Sequence, residues 1–310
     1  MEKTNKGAAG SRPDHRSAQD VKSRTLWQDA WRRFKKNKVA LFGLCFLGVL
    51  LVISAATVLI DLFTAEAFYN EHVTNQDLLS KLAAPSLAHP FGQDEFGRDI
   101  LFRILWGTRY SLFLGIATVA IAAVFGSILG ALAGFYDKLT DNVIMRLMDV
   151  LLAIPAMLLA ISLVAALGQS LFNITLAIGI SYIPTFARVV RASVMSVKEQ
   201  EFIEACRSYG TSDPRIIFRY IIPNSLAPLI VQATLSVANA ILMIASLSFI
   251  GLGIQPPTPE WGSMLSNART YMRDAWHITM FPGCAIMLTI LSLNLVGDGL
   301  RDALDPKLKD

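Results

Sequence analysis

The chain has 310 residues, of which 53% are hydrophobic and only 17% charged, with a formal net charge of +4. This composition is too apolar for an ordinary soluble domain. Three cysteines without metal-ligand spacing predict neither a disulfide framework nor a metal site.

The segment 1–38 is polar and basic, and we interpret it as a cytoplasmic tail. Within it, residues 25–38 predict an amphipathic helix, because Leu26, Ala30 and Phe34 share one helical face and the opposite face is basic. We interpret this helix as lying on the inner leaflet of a membrane, with a protein contact as the alternative. A bilayer explains the basic tail better than nucleic acid does.

Long charge-free runs follow, and a bilayer core needs about 20 apolar residues in a helix. Since the backbone must satisfy its own hydrogen bonds in lipid, we predict an all-α membrane protein. The six spans are placed near 39–60, 110–135, 143–167, 172–191, 224–251 and 279–300. Pro155 and Pro184 lie inside the third and fourth spans and permit bends. The first run starts too late and is too long for a cleavable signal peptide, so none is expected.

The distribution of Lys and Arg predicts the orientation. If both termini are cytoplasmic, the inner segments carry 22 of the 28 basic residues. The chain then divides into the tail 1–38, a first span 39–60, an extracytoplasmic segment 61–109, a five-helix core 110–300 and a cytoplasmic tail 301–310.

Several features inside the spans suggest helix contacts. Gly126, Gly130 and Gly134 recur every four residues, which predicts close packing of another helix. Arg146 and Asp149 are three residues apart and are predicted to pair with each other. A polar stripe in the fifth span and one residue in the sixth fit either interhelical hydrogen bonds or a substrate path: Gln232, Ser236, Asn239 and Asn294.

A polar island, residues 199–223, separates two apolar runs on the predicted cytoplasmic side. Phe202, Cys206 and Tyr209, with Ile203 beside them, predict a short amphipathic helix that ends at Gly210. Ser212 and Asp213 can cap a second short helix, Pro214 suits its first turn, and Pro223 is predicted to close it. The island therefore predicts a compact knob that faces water and serves a partner.

The island also carries a family resemblance. Glu204-Ala205-Cys206, then Gly210, then Tyr220-Ile221-Ile222-Pro223 resembles the EAA loop of ABC importer permeases, with Cys206, Tyr220 and Ile222 departing from its usual residues. The segment His89–Ile100, the loop Gln255–Gly262 and the C-terminal stretch Gly297–Pro306 resemble the oligopeptide, dipeptide and nickel permeases of that group. The resemblance extends from about Thr25 to Lys309 and implies a type I ABC importer (MetI-like) permease fold in a bacterial inner membrane.

The resemblance implies partners and site residues as well. The partners are a second homologous permease, two cytoplasmic ATPases that bind ATP and Mg, an extracytoplasmic binding protein and a di- or oligopeptide. The coupling contact with the ATPases would be made by Glu204, Ala205, Gly210, Thr211, Ser212, Asp213, Pro214 and Arg215. Asp94, Arg98 and Glu260 would lie where the binding protein docks.

The chain contains no G-x-x-x-x-G-K-[ST] phosphate loop, so we expect no ATPase activity or cofactor in it. Two other importer substrates stay open, nickel and another small solute. An ion-driven secondary transporter is a further alternative, but it would need acidic residues deep in the bilayer, and the predicted midplanes have none. An intramembrane aspartyl protease would need a second aspartate paired with Asp298, and none is placed for that.

Overall fold

A computed structural model describes residues 26–136 and 138–305. The predictions for 1–25 and for the tail beyond residue 305 therefore lie outside the described residues. The main helices are α1 (Leu26–Lys36), α2 (Lys38–Thr64), α3 (Ile100–Phe135), α4 (Lys138–Ala153), α5 (Ala156–Leu167), α6 (Leu171–Lys198), α7 (Glu201–Ser208), α8 (Asp213–Ile216), α9 (Leu226–Phe249), α10 (Trp261–Ala268) and α11 (His277–Leu304). Short helical turns at Ala67–Tyr69, Asn70–Thr74, Leu78–Ser80, Ile217–Ile221, Ile222–Asn224 and Arg269–Tyr271 lie between them.

Five of the described helices, α2, α3, α6, α9 and α11, are each long and apolar enough to cross a membrane. The pair α4 and α5 makes a sixth candidate span if it is taken as one bent helix. This agrees with the predicted all-α fold. Helix α3 begins ten residues earlier than position 110, because the Asp99 side chain caps it by accepting a hydrogen bond from the Phe102 amide at 3.0 Å.

The predicted third span is broken in two. Helices α4 and α5 meet at an angle of 87° around Ile154 and Pro155. Proline lacks an N–H, and its ring disfavours a helical residue before it, so a helix ends there easily. Pro184 also lacks a backbone N–H, but it lies inside the continuous helix α6, where it is buried. Packing on both sides of Pro184 thus holds a helix that the proline alone would weaken.

The glycine stripe of α3 packs closely against another helix, as predicted. A Cβ atom on Gly126 would lie 2.5 Å from the Cβ of Phe186, and one on Gly130 would lie 2.3 Å from the Ala187 carbonyl oxygen. Gly134 approaches α6 in the same way at Arg191 and Val194. Helices α3 and α6 therefore touch backbone to backbone over about two turns.

Helix α1 uses its apolar face on protein rather than on lipid. Phe34 is 2% exposed and Ala30 is 8% exposed, and both pack with Ala303 and Val296 of α11. The Phe34 ring lies over Gly299, where a Cβ atom would come within 3.0 Å of it. The interpretation of α1 as a helix whose apolar face lies in the leaflet is therefore wrong for these two side chains, and the alternative, a protein contact, holds for them.

The predicted ion pair in the third span is also wrong. Asp149 accepts a hydrogen bond from Arg188 of α6 at 2.7 Å, instead of pairing with Arg146 one turn away. Asp141 forms a two-pronged pair with Arg191 at 2.5 Å. Both pairs tie α4 to the C-terminal part of α6, so they fix a helix contact that spacing along one helix could not reveal.

Candidate functional site

The predicted knob exists, and its inner face is built into the protein. Ile203 of α7, Ile216 of α8 and Ile221 are each 0% exposed and pack together with Phe135 and Val194. Phe135 and Val194 lie toward the C-terminal ends of α3 and α6. The knob is therefore anchored on the helix pair that the glycine stripe holds together.

The outer face of the knob is free in the isolated chain. Gly210 has a φ of +72°, the left-handed conformation predicted for the residue that ends α7, and a Cβ atom there would meet nothing within 4 Å. Pro214 lies in the first turn of α8, as predicted. Thr211 is half-buried, and the other seven predicted coupling residues are exposed: Glu204, Ala205, Gly210, Ser212, Asp213, Pro214 and Arg215. The sequence prediction thus selected a contiguous exposed tip.

Details of the knob differ from the prediction. Phe202 and Tyr209 are 41% and 89% exposed, so the buried face of α7 is centred on Ile203 and Cys206 instead. Ser212 precedes α8, but its side chain makes no capping hydrogen bond. Pro223 does not close the knob, because helical turns continue through it and α9 begins at Leu226. A nearly unbroken helical path therefore joins the tip to α9.

The polar stripe of α9 separates into two parts. The Gln232 side-chain amide donates to Ser236 Oγ at 3.0 Å, and Ser236 is 1% exposed, so this pair is satisfied within one helix. Asn239 of α9 and Asn294 of α11 are exposed on the isolated chain. An exposed amide in a membrane span needs a polar neighbour or water. These two residues therefore remain the stronger candidates for the substrate path.

The three predicted docking residues lie inside the protein. Asp94, Arg98 and Glu260 are 5%, 2% and 1% exposed. Asp94 Oδ2 pairs with Arg98 Nε at 2.7 Å, and the Glu260 carboxylate caps α10 by accepting from the amides of Gly262 and Ser263, both at 2.8 Å. Buried side chains cannot contact a docked protein, so their observed role is to hold the outer segment together.

Arg103 connects the outer segments, and the sequence analysis missed it. Its guanidinium is 2% exposed and donates to the carbonyl oxygens of Val73 at 3.1 Å and Pro257 at 3.3 Å. It also lies 3.4 Å from the Asp94 carboxylate. An arginine on the otherwise apolar early face of α3 was the only signal. Arg103 thus joins the segments around Val73, Asp94 and Pro257. We call this unit the outer cap, after its predicted location.

The carboxylates of Asp94 and Glu95 lie close together in the outer cap. Burial, together with the neighbouring charge of Asp94, raises the pKa of Glu95 above its ordinary value. Asp61 at the end of α2 accepts from Trp106 Nε1 at 3.0 Å and from Arg109 at 2.5 Å. The described residues contain no group of His, Cys, Asp and Glu side chains that could hold a metal ion.

Comparisons with known proteins agree with this architecture. Residues 126–310 match the family model described as binding-protein-dependent transport system inner membrane component. Residues 25–86 match the N-terminal TM domain of oligopeptide transport permease C. A dipeptide transport system permease protein of Alkalihalophilus pseudofirmus is 47% identical over 91% of this chain and 90% of its own length.

A glutathione transport system permease protein of Pectobacterium atrosepticum is 44% identical over 94% of both chains. Among solved structures, the inward-facing MetNI methionine ABC transporter aligns with 66% of this chain and 98% of its own, with a TM-score of 0.54 and 15% identity. At that identity the structural likeness bears on the fold alone.

Proposed function

This chain belongs to the family of inner membrane components of binding-protein-dependent transport systems, and on that premise we propose that it forms half of the path of an ATP-driven peptide importer. It is a multi-pass protein of the bacterial cytoplasmic membrane. The proposal places both termini and the knob in the cytoplasm, in line with the distribution of basic residues.

The main support for the proposal is the structure of the knob, which has a buried inner face and an exposed tip. Its inner face is sealed by Ile203, Ile216 and Ile221, while its tip at 210–215 is exposed apart from the half-buried Thr211. A loop that only joined two spans would not need a buried core of its own. A rigid element with an open face suits a partner that pushes on it, here a cytoplasmic ATPase.

The mechanism follows from the connections of the knob. Closure of an ATPase dimer around ATP and Mg would move the tip, and the helical path through Ile222–Asn224 would carry that movement to α9. Asn239 lies on α9 and Asn294 on α11, so the movement would change the path between this chain and a second permease. Chemistry stays in the ATPases, and this chain acts as a non-catalytic subunit.

Peptides are the proposed substrate class because the relatives are named for dipeptide and glutathione transport. An extracytoplasmic binding protein would deliver them, and its contact would be made by exposed residues of the outer cap. Nickel or another small solute is the second candidate within the same group of importers. A secondary transporter is disfavoured, since the family couples transport to ATPases.

The test is co-purification of the tagged protein from gently solubilised membranes, followed by an ATPase assay. Replacing residues 210–215 by a Gly/Ser linker should abolish ATPase co-purification and leave the protein in the membrane. A matched control replaces the fully exposed residues Leu79 and Leu87 by serine, and it should retain the ATPases. Wild-type protein that purifies without ATPase activity would refute the proposal.

A further inference from the structure

An apolar groove runs along the inner end of α3 beside the knob. Its volume is about 120 Å³, and it has two helical walls. One wall is formed by Ile128, Ala131, Leu132 and Tyr136, and the other by Pro214, Ile217, Phe218 and Ile222. The spacing on each wall is i, i+3 or i+4, and i+8, so each wall is one face of a helix. We call this the inner groove.

The inner groove continues an exposed apolar stripe of α3. Phe125, Ile128, Leu132 and Tyr136 follow one another at helical spacing, and three of them are 54%, 48% and 37% exposed, while Leu132 is half-buried. Helix α3 has 36 residues and is therefore about 54 Å long, more than the full thickness of a bilayer. In the proposed orientation the C-terminal end of α3 faces the cytoplasm, so the stripe leads from the groove into the apolar, membrane-spanning part of the helix.

Positive charge borders the groove on the side of the knob. Pro214 and Phe218 also line a shallow depression that includes Arg215 and Arg219. Both arginines are exposed, and neither forms an ion pair with any described residue. Asp213, the nearest carboxylate along the chain, is paired with neither of them. The depression is therefore open to an anionic group.

We propose that the inner groove binds one anionic phospholipid, with part of an acyl chain between α3 and the knob and its phosphate near Arg219, the arginine of this pair that lies outside the proposed ATPase contact at 210–215. The volume fits this occupant, because an apolar cavity of about 150 Å³ holds a benzene-sized molecule, and so the groove accommodates a segment of acyl chain. The charge fits it because a basic residue at the membrane surface favours anionic lipid. The lipid would bridge the knob and α3 at the place where the proposed coupling movement begins.

A segment of the second permease or of an ATPase is the other kind of occupant, and the test below distinguishes it from lipid. The exposed ring of Phe218, at 68% exposure, lies on the border between the apolar groove and the arginines. A photoreactive residue at this position reports directly on what lies in the groove.

The experiment places p-benzoylphenylalanine at position 218 of the full-length protein in cells with radiolabelled phospholipids, followed by illumination. The same residue at the exposed position Phe113 of α3 measures ordinary lipid contact. We expect phosphatidylglycerol to be enriched over phosphatidylethanolamine at position 218 relative to position 113. Arg219→Gln should lower that enrichment about fivefold, which corresponds to about 1 kcal/mol for one basic residue near anionic lipid.

A matched control removes two exposed charges elsewhere on the same side, with Arg32→Gln and Lys36→Gln on α1. It should leave the enrichment unchanged. A protein adduct at position 218, a lipid ratio equal to that at position 113, or an equal loss of enrichment in the control would each overturn the proposal. The lipid adduct needs no ATPase, so its loss and a failure to co-purify ATPases are separate results.

Discussion

Replacement of Gly130 by alanine tests how far the contact between α3 and α6 depends on the absence of a side chain. The added methyl group would lie 2.3 Å from the Ala187 carbonyl oxygen and 3.1 Å from the carbon of that carbonyl, whereas ordinary contact begins at 3.4 Å. Both atoms belong to the backbone of α6, so relief requires the whole helix to move rather than one side chain to rotate. Such overpacking costs about 1–3 kcal/mol.

A second effect of the same substitution has the opposite sign. Alanine is favoured over glycine inside a helix by up to about 1 kcal/mol. The overpacking cost of about 1–3 kcal/mol is therefore larger than this gain over most of its range. The control is Gly48→Ala in α2, where a Cβ atom meets nothing within 4 Å and only the gain applies. Thermal unfolding of both purified variants in detergent should show a lower melting temperature for Gly130→Ala and no decrease for Gly48→Ala. Equal melting temperatures for Gly130→Ala and wild type would refute the reasoning.

Three further predictions concern the knob and the outer cap. Gly210→Val should weaken transport more than Gly210→Asn, because the left-handed conformation at φ +72° tolerates asparagine but strains a β-branched residue; equal peptide uptake would contradict this. Arg103→Ala should expose the outer segments to limited proteolysis, since loss of one partner from a buried network costs about 3–5 kcal/mol, whereas Lys81→Ala at the exposed surface should not. Because the folded-state pKa of Glu95 is raised, its carboxyl group stabilises the fold fully below pH 4.5, the ordinary pKa of a glutamate. This stabilisation is lost as the pH rises through the raised pKa. Melting temperatures of Glu95→Gln and wild type should therefore diverge in favour of the variant between pH 4 and pH 7, and a constant difference would show that Glu95 does not titrate as argued.

The knob shows how much of a candidate site local patterns can predict. The glycine that ends α7, the proline in the first turn of α8 and the exposed tip were all inferred from residue types at fixed offsets, because such turns depend on backbone conformation within a few residues. The predicted apolar face of α7 comprised Phe202, Cys206 and Tyr209 with Ile203 beside them, whereas the buried face is centred on Ile203 and Cys206. Which face is buried depends on α3 and α6, and these contacts are not encoded within the knob.

The predicted docking residues show a second limit of local sequence patterns, which do not reveal whether a charged side chain is buried. The family resemblance placed Asp94 and Arg98 at a docking surface, but Asp94 lies between Arg98 and Arg103 inside the cap. A charged residue lies most often at the surface, and it is buried only where a counter-ion pairs with it; the sequence alone does not locate that counter-ion. Arg103 meets Val73 and Pro257, which are 30 and 154 residues away along the chain, and no short motif signals such a meeting.

The sequence by itself determined that the chain is helical, membrane-spanning and built around a polar island, because these properties depend on runs of apolar residues and on spacing along one helix. The tertiary structure decided that Pro155 breaks its span while Pro184 does not, that Asp149 pairs with Arg188, and that α1 packs on α11. Each of these outcomes depends on distances between segments remote in sequence, where packing and charge pairing outweigh local preference.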